Sequence, residues 1–131
     1  RKVSKSKRKN YILPILKNWK KIWNNRKKNI LIDCESLIFN RKSFLKDIGE
    51  KIVHENEPMG QFMGLFYIPK EKISNTVKLI NLCSKNKKIH TTNFINYLVK
   101  SKNENVYCLK ENNEWYEFDD YDDYKNYFKY K

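Results

Sequence analysis

The residues best suited to chemistry in this chain are carboxylates gathered near its end. Between Glu111 and Tyr124 stand seven Asp or Glu residues and no Lys or Arg, a local density of negative charge that suits a hard, oxygen-liganded cation. They divide by position. Asp120, Asp122 and Asp123 open a segment of helical pattern, where carboxylates are favoured by exposed amides and the macrodipole, so a helix start accounts for them without any ligand. Asp119 instead follows the alternating run Trp115, Tyr116, Glu117, Phe118, and a carboxylate at the end of a strand faces the cleft of an α/β protein. Other catalytic constellations are lacking. There is no Gly-rich phosphate loop, no nucleophile triad and no histidine pair at ligand spacing, and His54 and His90 stand alone. Cys34, Cys83 and Cys108 are odd in number and far apart, which fits reduced thiols in a cytoplasm and neither a disulfide framework nor a paired metal site.

The elements that must position these groups alternate between strand and helix patterns. Residues 1–9 are polar, charged and without period, and read as a disordered tail or linker ahead of a domain over 10–131. The apolar run 11–16 is interrupted by Pro14, which suits an edge strand. Trp19, Ile22 and Trp23 fall at i, i+3 and i+4 with lysines opposite, the pattern of an amphipathic helix capped by Asn18. Residues 36–39 and 44–48 read as a hairpin turning at 40–43 and ending at Gly49. A strand is expected over 61–68, with Gly60 and Gly64 permitting close backbone approach. Helices follow at 70–83, with Ile73, Val77 and Ile80 on the inner face, and at 92–99, with Phe94, Ile95 and Leu98 inward. Strands at 106–109 and 115–118, paired across the polar turn 111–113, lead into a tyrosine-rich helix over 121–130.

Length and charge bound the function. A chain of 131 residues is one domain's worth, and no run approaches the roughly 18 to 20 apolar residues of a membrane span. It begins at Arg1 with no apolar signal region, as a piece of a longer product or a processed chain would. The net charge of +13 invites a nucleic-acid reading, but its distribution is uneven. Arg1 to Lys28 carries twelve basic residues and no acidic one, whereas the remainder carries sixteen basic against fifteen acidic. Residues 29–131 are nearly neutral, and the tail, with Lys5, Lys7, Arg8 and Lys9, is placed to touch phosphates or an anionic surface. With no Ala, three Gly and abundant Lys, Asn, Ile and Tyr, the composition also follows from AT-rich coding, so the charge by itself does not assign a nucleic-acid partner. A small basic nucleic-acid-binding module stands as the alternative class.

Four blocks in order resemble the C-terminal half of the nucleotidyltransferase family that makes CDP- or NDP-activated sugars, phosphocholine or phosphonates. The first is Asn18, Trp19, Ile22, Trp23 and Arg26, similar to the family's Trp-x-x-x-Trp-x-x-Arg helix. The second is Asp33 and Glu35, then Asp47, Ile48 and Gly49, similar to an Asp-x-Glu turn followed by a Glu-Ile-Gly strand. The third, Gly60, Gln61, Phe62, Met63, Gly64 and Leu65, is similar to Gly-Gln-Tyr-Met-Gly-Leu. The fourth, Trp115 to Asp119 with the acidic residues after it, is similar to Trp-x-Glu-(Val/Ile)-Asp preceding a helix. Together they cover nearly everything after Asn10.

The resemblance implies a partial Rossmann-like α/β fold, a mixed sheet flanked by helices that lacks the N-terminal nucleotide-binding half. It further implies attack by a phosphate oxygen of a phosphorylated small-molecule acceptor on the α-phosphorus of a nucleoside triphosphate, releasing pyrophosphate, with Mg²⁺ neutralising charge on the oxygens. Asp119 matches the family's metal-ligating Asp and Glu117 its neighbouring Glu. Gly60, Gln61 and Gly64 match the strand lining the acceptor pocket, and Arg26 and Glu35 match positions near the same cleft. The departures are equally specific. Leu16, Lys17 and Asn18 stand where the family places an acidic residue before its first Trp motif, and His90, Thr91 and Thr92 replace an Asp before a Met-Thr pair. The family's triphosphate-binding signature and first metal-binding Asp belong to its N-terminal half and are not found here. The expectation is that this chain requires that missing half as a partner and, alone, does not catalyse nucleotidyl transfer.

Overall fold

The computed structural model describes residue 4 and residues 7–23, 34–52, 58–85, 88–118 and 120–129. It is a small α/β protein in which a mixed three-stranded sheet and a two-stranded antiparallel sheet pack with four helices. Strand β1 (Tyr11–Leu16) lies between β4 (Gln61–Phe62), antiparallel to it, and β5 (Val106–Glu111), parallel to it along its whole length. Strands β2 (Glu35–Phe39) and β3 (Leu45–Lys51) form the expected hairpin. No helix among the described residues is long and apolar enough to cross a membrane.

Pro14 does not mark an edge strand, because β1 is central. The reason is visible in the hydrogen bonds on its β4 side. Ile12 exchanges two with Tyr67, at 3.1 and 2.9 Å, and the Met63 amide donates to the Pro14 carbonyl at 3.4 Å. Pro14 points the same way as Ile12 and has no amide hydrogen to give, and just there the neighbouring chain leaves the ladder. The expected strand over 61–68 is therefore only Gln61–Phe62 plus an isolated bridge at Tyr67. Gly64, at φ +71°, makes the bend between them.

The two sheets meet along two seams. The Cys108 amide donates to the Ser43 carbonyl at 2.8 Å beside a bridge between Phe44 and Tyr107, and on the other side the Met59 amide donates to the Leu37 carbonyl at 2.9 Å. Tyr11, Leu13 and Ile15 of β1, Leu37, Phe39, Leu45 and Ile48 of the hairpin, and Val106 and Cys108 of β5 fill the space between. Phe94, Ile95 and Leu98 of α3 (Thr91–Lys102) and Leu79 of α2 (Ile73–Ser84) close it. Each large aliphatic side chain so buried contributes about 1.5–3 kcal/mol.

The helix over α3 presents the face its periodicity predicts and ends at Asn103 in the left-handed conformation, φ 51°, which Asn tolerates. Helix α2 presents its predicted face only in part, since Ile80 packs against the core. Ile73 and Val77 are half exposed, while Thr76 is fully buried with Leu79. The buried phenol of Tyr11 needs a partner, and it shares a 2.9 Å hydrogen bond with the Thr76 hydroxyl, which itself donates to the Lys72 carbonyl at 2.7 Å. The hairpin also runs past its expected end. Gly49, at φ +86°, is where β3 passes beneath α3, and a side-chain carbon there would meet Thr92 Cβ at 2.9 Å.

Residues 115–118 do not form a strand. Their burial comes in pairs rather than alternating: Trp115 and Tyr116 turn inward onto a second cluster of Leu16, Trp19, Ile22 and Cys34, and Glu117 and Phe118 turn outward. Helix α4 (Tyr121–Lys129) then begins as its acidic start predicts, with the Asp123 amide donating to Asp120 Oδ1 at 2.9 Å. At the other end, Lys7–Lys9 form a 3₁₀ turn within the basic tail. The Lys7 ammonium donates to the Tyr107 hydroxyl at 2.7 Å and lies over that ring.

Candidate functional site

Parallel strands β1 and β5 end at the same edge of the sheet, where the chain turns outward and polar groups collect. The Lys17 amide donates to the Glu111 carbonyl at 2.8 Å, extending the ladder by one bond. Asn18 follows, but its side chain does not cap the helix as expected. Its Nδ2 donates to the Asn112 carbonyl at 3.1 Å, tying the exits of the two strands together, and its Oδ1 is buried with no protein partner. Helix α1 (Trp19–Trp23) starts immediately after. Trp19 and Ile22 face inward, so helical phase sends Lys20 and Lys21 to the solvent side.

Trp19 sets the position of the opposite wall. It is core, at 3% exposure, and its indole Nε1 donates to the Pro58 carbonyl at 3.1 Å. Between α1 and residues 58–59 lies an open cleft of about 490 Å³, lined by Lys17, Asn18, Lys20 and Lys21 on one side and Pro58 and Met59 on the other. Lys17, Lys20 and Lys21 give one wall of the cleft a positive charge, which suits a small anion.

The same segment carries Gly60 and Gln61 inward. A side-chain carbon on Gly60 would stand 3.1 Å from both the Leu16 carbonyl oxygen and Ile15 Cδ1, so the close approach expected of this glycine is real. Gln61 pairs with Leu16 and, with Glu35, Ser36, Leu37, Ile48 and Phe62, lines a cavity of about 10 Å³, room for a single water. Glu35 is exposed at the start of β2, and its Oε1 accepts from the Thr92 hydroxyl at 3.4 Å.

The sequence-predicted site residues are thus partly assembled. Gln61 and Glu35 line one small pocket, while Gly60, between Met59 of the lysine-lined cleft and Gln61 in the chain, lines neither. Gly64 lines neither, since it is exposed and a side-chain carbon there would have nothing within 4 Å; its requirement is conformational. Glu117 is exposed, in the segment that follows β5. Arg26, Asp33 and Asp119 lie outside the described residues. Among the described residues no three His, Cys, Asp or Glu side chains gather into a metal-binding group. Lys17, Lys20, Lys21, Pro58 and Met59 were not foreseen as site residues. Lys20 and Lys21 were legible as the polar face of the Trp19 helix, whereas Lys17 precedes that helix and the Pro58–Met59 wall depends on a contact 39 residues away in the chain.

A polar clamp beside the site holds the hairpin to α3. Ser36 Oγ donates to Asp47 Oδ2 at 2.5 Å and accepts from the Glu50 amide at 3.1 Å, while the Lys100 ammonium pairs with Asp47 Oδ1. Burial alone would raise the Asp47 pKa, but the hydrogen bonds from Lys100 and Ser36 and the Lys100 charge outweigh it and hold the carboxyl below its ordinary value. Lys100 is raised in turn, chiefly by its hydrogen bond to Asp47. Cys83 and Cys108 are free thiols, and burial pushes Cys108 up to about 12, which makes it inert. No protein-family model, no curated protein and no solved structure matches this chain.

Proposed function

We propose that this chain is the acceptor-binding half of a nucleotidyltransferase domain of partial Rossmann-like fold. In that reading it transfers a nucleoside monophosphate to a phosphorylated sugar, phosphocholine or phosphonate once an N-terminal nucleotide-binding half completes it. A phosphate oxygen of the acceptor attacks the α-phosphorus of the nucleoside triphosphate, the bond to the β-phosphate oxygen breaks, and pyrophosphate leaves with the electron pair. The observation that supports this reading is the lysine-lined cleft at the shared exit of β1 and β5, with the separate Gln61 and Glu35 pocket two residues along the chain from its Met59 wall. Lys17, Lys20 and Lys21 would hold the acceptor phosphate by charge, and Trp19 would keep the two walls at a fixed separation through Pro58. Mg²⁺ would enter with the triphosphate, with Asp119 as this chain's ligand.

The test is binding and turnover measured separately. The isolated chain should bind phosphocholine or a sugar 1-phosphate saturably, and a Lys20→Glu/Lys21→Glu variant should lose that binding, while the dephosphorylated compounds fail to compete. It should release no pyrophosphate from CTP or another triphosphate. Absence of saturable binding to any phosphorylated acceptor would overturn the acceptor assignment. Robust turnover by the chain alone, abolished by Asp119→Asn, would overturn the claim that half of the site lies elsewhere. The nucleic-acid alternative predicts instead salt-sensitive binding to arbitrary duplexes that is lost when residues 1–9 are removed; the ammonium of Lys7, at least, is directed to Tyr107 of the domain.

A further inference from the structure

A fourth lysine, Lys110, stands at the edge where β1 and β5 end. Parallel pairing sets it opposite Ile15, and strand alternation then puts Ile15, Lys17, Cys108 and Lys110 on one face of the sheet, with Leu16 and Glu111 on the other. The first face is the one that packs against the hairpin and its buried Phe39. Both lysines reach that ring: the Lys110 ammonium stands 4.6 Å from its centroid and the Lys17 ammonium 5.9 Å. Phe39 is also tied to the far wall of the cleft, since its amide donates to Met59 Sδ at 3.4 Å. One buried residue therefore links Lys110 to Lys17 and Met59, which line the cleft from opposite sides.

The charge balance at Phe39 is unusual for this fold. Lys72 also lies over a core ring, 4.8 Å from the centroid of Tyr11, but its ammonium is paired with Glu104. Neither Lys17 nor Lys110 has an ion-pair partner among the described residues, and alternation directs Glu111 to the opposite face of the sheet. Two like charges gathered at one ring repel, more strongly where that ring excludes water, and an anion between them reverses the sign of the interaction. We propose that Lys17 and Lys110 form a second anion subsite adjoining the cleft, so that the acceptor carries two anionic groups. Its phosphate lies in the cleft with Lys20 and Lys21, and a second phosphate or a carboxylate lies between Lys17 and Lys110 above Phe39. The inference rests on the acceptor-binding reading and narrows its substrate class to a sugar bisphosphate or a phosphorylated sugar acid. Phosphocholine fits this subsite poorly, because its quaternary ammonium needs an open aromatic face and the ring at this place already meets two ammonium groups.

Calorimetric titration of the whole chain with glucose 1-phosphate, glucose 1,6-bisphosphate, glucuronic acid 1-phosphate and phosphocholine tests it. The bisphosphate or the sugar acid should bind about tenfold or more tightly than glucose 1-phosphate, the return on one added charge-assisted contact. Whichever of the two binds better names the second group as phosphate or carboxylate. Lys110→Met keeps an apolar stem over Phe39 and removes the charge, and should bring that ratio within about threefold of unity. Lys110→Arg should preserve it. So should Lys78→Met, which removes an exposed charge from α2 and controls for the general attraction of a basic protein for anions. A merely structural role for Lys110 would shift all ligands together and leave the ratio intact. If circular dichroism shows that Lys110→Met fails to fold, Lys17→Met reads the same ratio. Equal affinity for singly and doubly charged sugars, a ratio unchanged by Lys110→Met, or phosphocholine binding as tightly as the best of them would overturn the inference and leave the acceptor reading standing. No saturable binding of any of the four would overturn that reading and the inference with it.

Discussion

Gly60 and Gly64, four residues apart in the motif Gly60, Gln61, Phe62, Met63, Gly64, should respond differently to the same methyl group. At Gly60 the backbone conformation is ordinary, and alanine would restrict the unfolded chain and so stabilise by about 0.4–1 kcal/mol. Against this, its Cβ would stand 3.1 Å from the Leu16 carbonyl, which is held in the sheet, and 3.1 Å from Ile15 Cδ1, on a fully buried side chain. Overpacking of this kind costs about 1–3 kcal/mol, so Gly60→Ala should lose roughly 0.5–2.5 kcal/mol net. At Gly64 the added carbon meets nothing within 4 Å, but φ is +71°, and the left-handed conformation costs an L-residue about 1–2 kcal/mol. Gly64→Ala should lose that amount, and Gly64→Asn should recover part of it because Asn tolerates the left-handed region. Urea unfolding measures both. With a slope near 2 kcal/mol/M, each kcal/mol moves the midpoint by about 0.5 M. The ligand should separate them further. Gly60→Ala displaces the wall formed by residues 58–61 and should weaken binding of a phosphorylated acceptor, whereas Gly64→Ala should leave it unchanged. A Gly60→Ala protein as stable as the parent would refute the close-approach argument, and a Gly64→Asn protein no better than Gly64→Ala would refute the conformational one.

Two further outcomes follow from titrating groups. Asp47→Asn should cost about 1–2 kcal/mol at neutral pH, mostly through the Ser36 hydrogen bond, since the half-exposed Lys100 partner is screened by solvent. Because the folded Asp47 pKa lies below the ordinary 3.8, its contribution is complete above that value and disappears as pH falls through the folded value, so parent and variant should converge in acid unfolding below about pH 4. Lys100 is shifted upward from 10.5; its share is present below that value and is lost as pH rises past the folded one. Cys108, raised from 9.0 to about 12, stays protonated when folded while its unfolded counterpart ionises. The stability advantage of the parent over Cys108→Ala should therefore shrink by about 1.4 kcal/mol per pH unit above pH 9. A constant gap from pH 7 to 11 would show that Cys108 is not shielded.

Much of the scaffold is written locally. The Asn40 turn between two apolar runs, the Phe94, Ile95, Leu98 spacing and the acidic start at Asp120 each carry their own physical instruction, and all three appear in the fold. So does the orientation of Trp19, whose period places it in the core and Lys20 and Lys21 outside. What misleads is pattern without partner. Ile73 and Val77 make as good a helix face as Thr76 and Leu79, and only the buried phenol of Tyr11 selects between them. Trp115 to Phe118 alternate in sequence, yet the apolar cluster around Leu16 and Trp19 takes two neighbours at once and leaves no pleat. Pro14 reads as an edge residue, and becomes tolerable at the sheet centre because the chain at Gly64 bends away from the missing donor.

Local chemistry alone therefore determined which segments are helices and which are strands in most of the chain, that its thiols form no framework, and that its positive charge is concentrated in the first 28 residues. Tertiary structure decided where β1 sits, which face α2 buries, and that Pro58 and Met59 oppose the lysines of α1. These are contacts between residues tens of positions apart, and no periodicity within one segment encodes which distant surface will cover it.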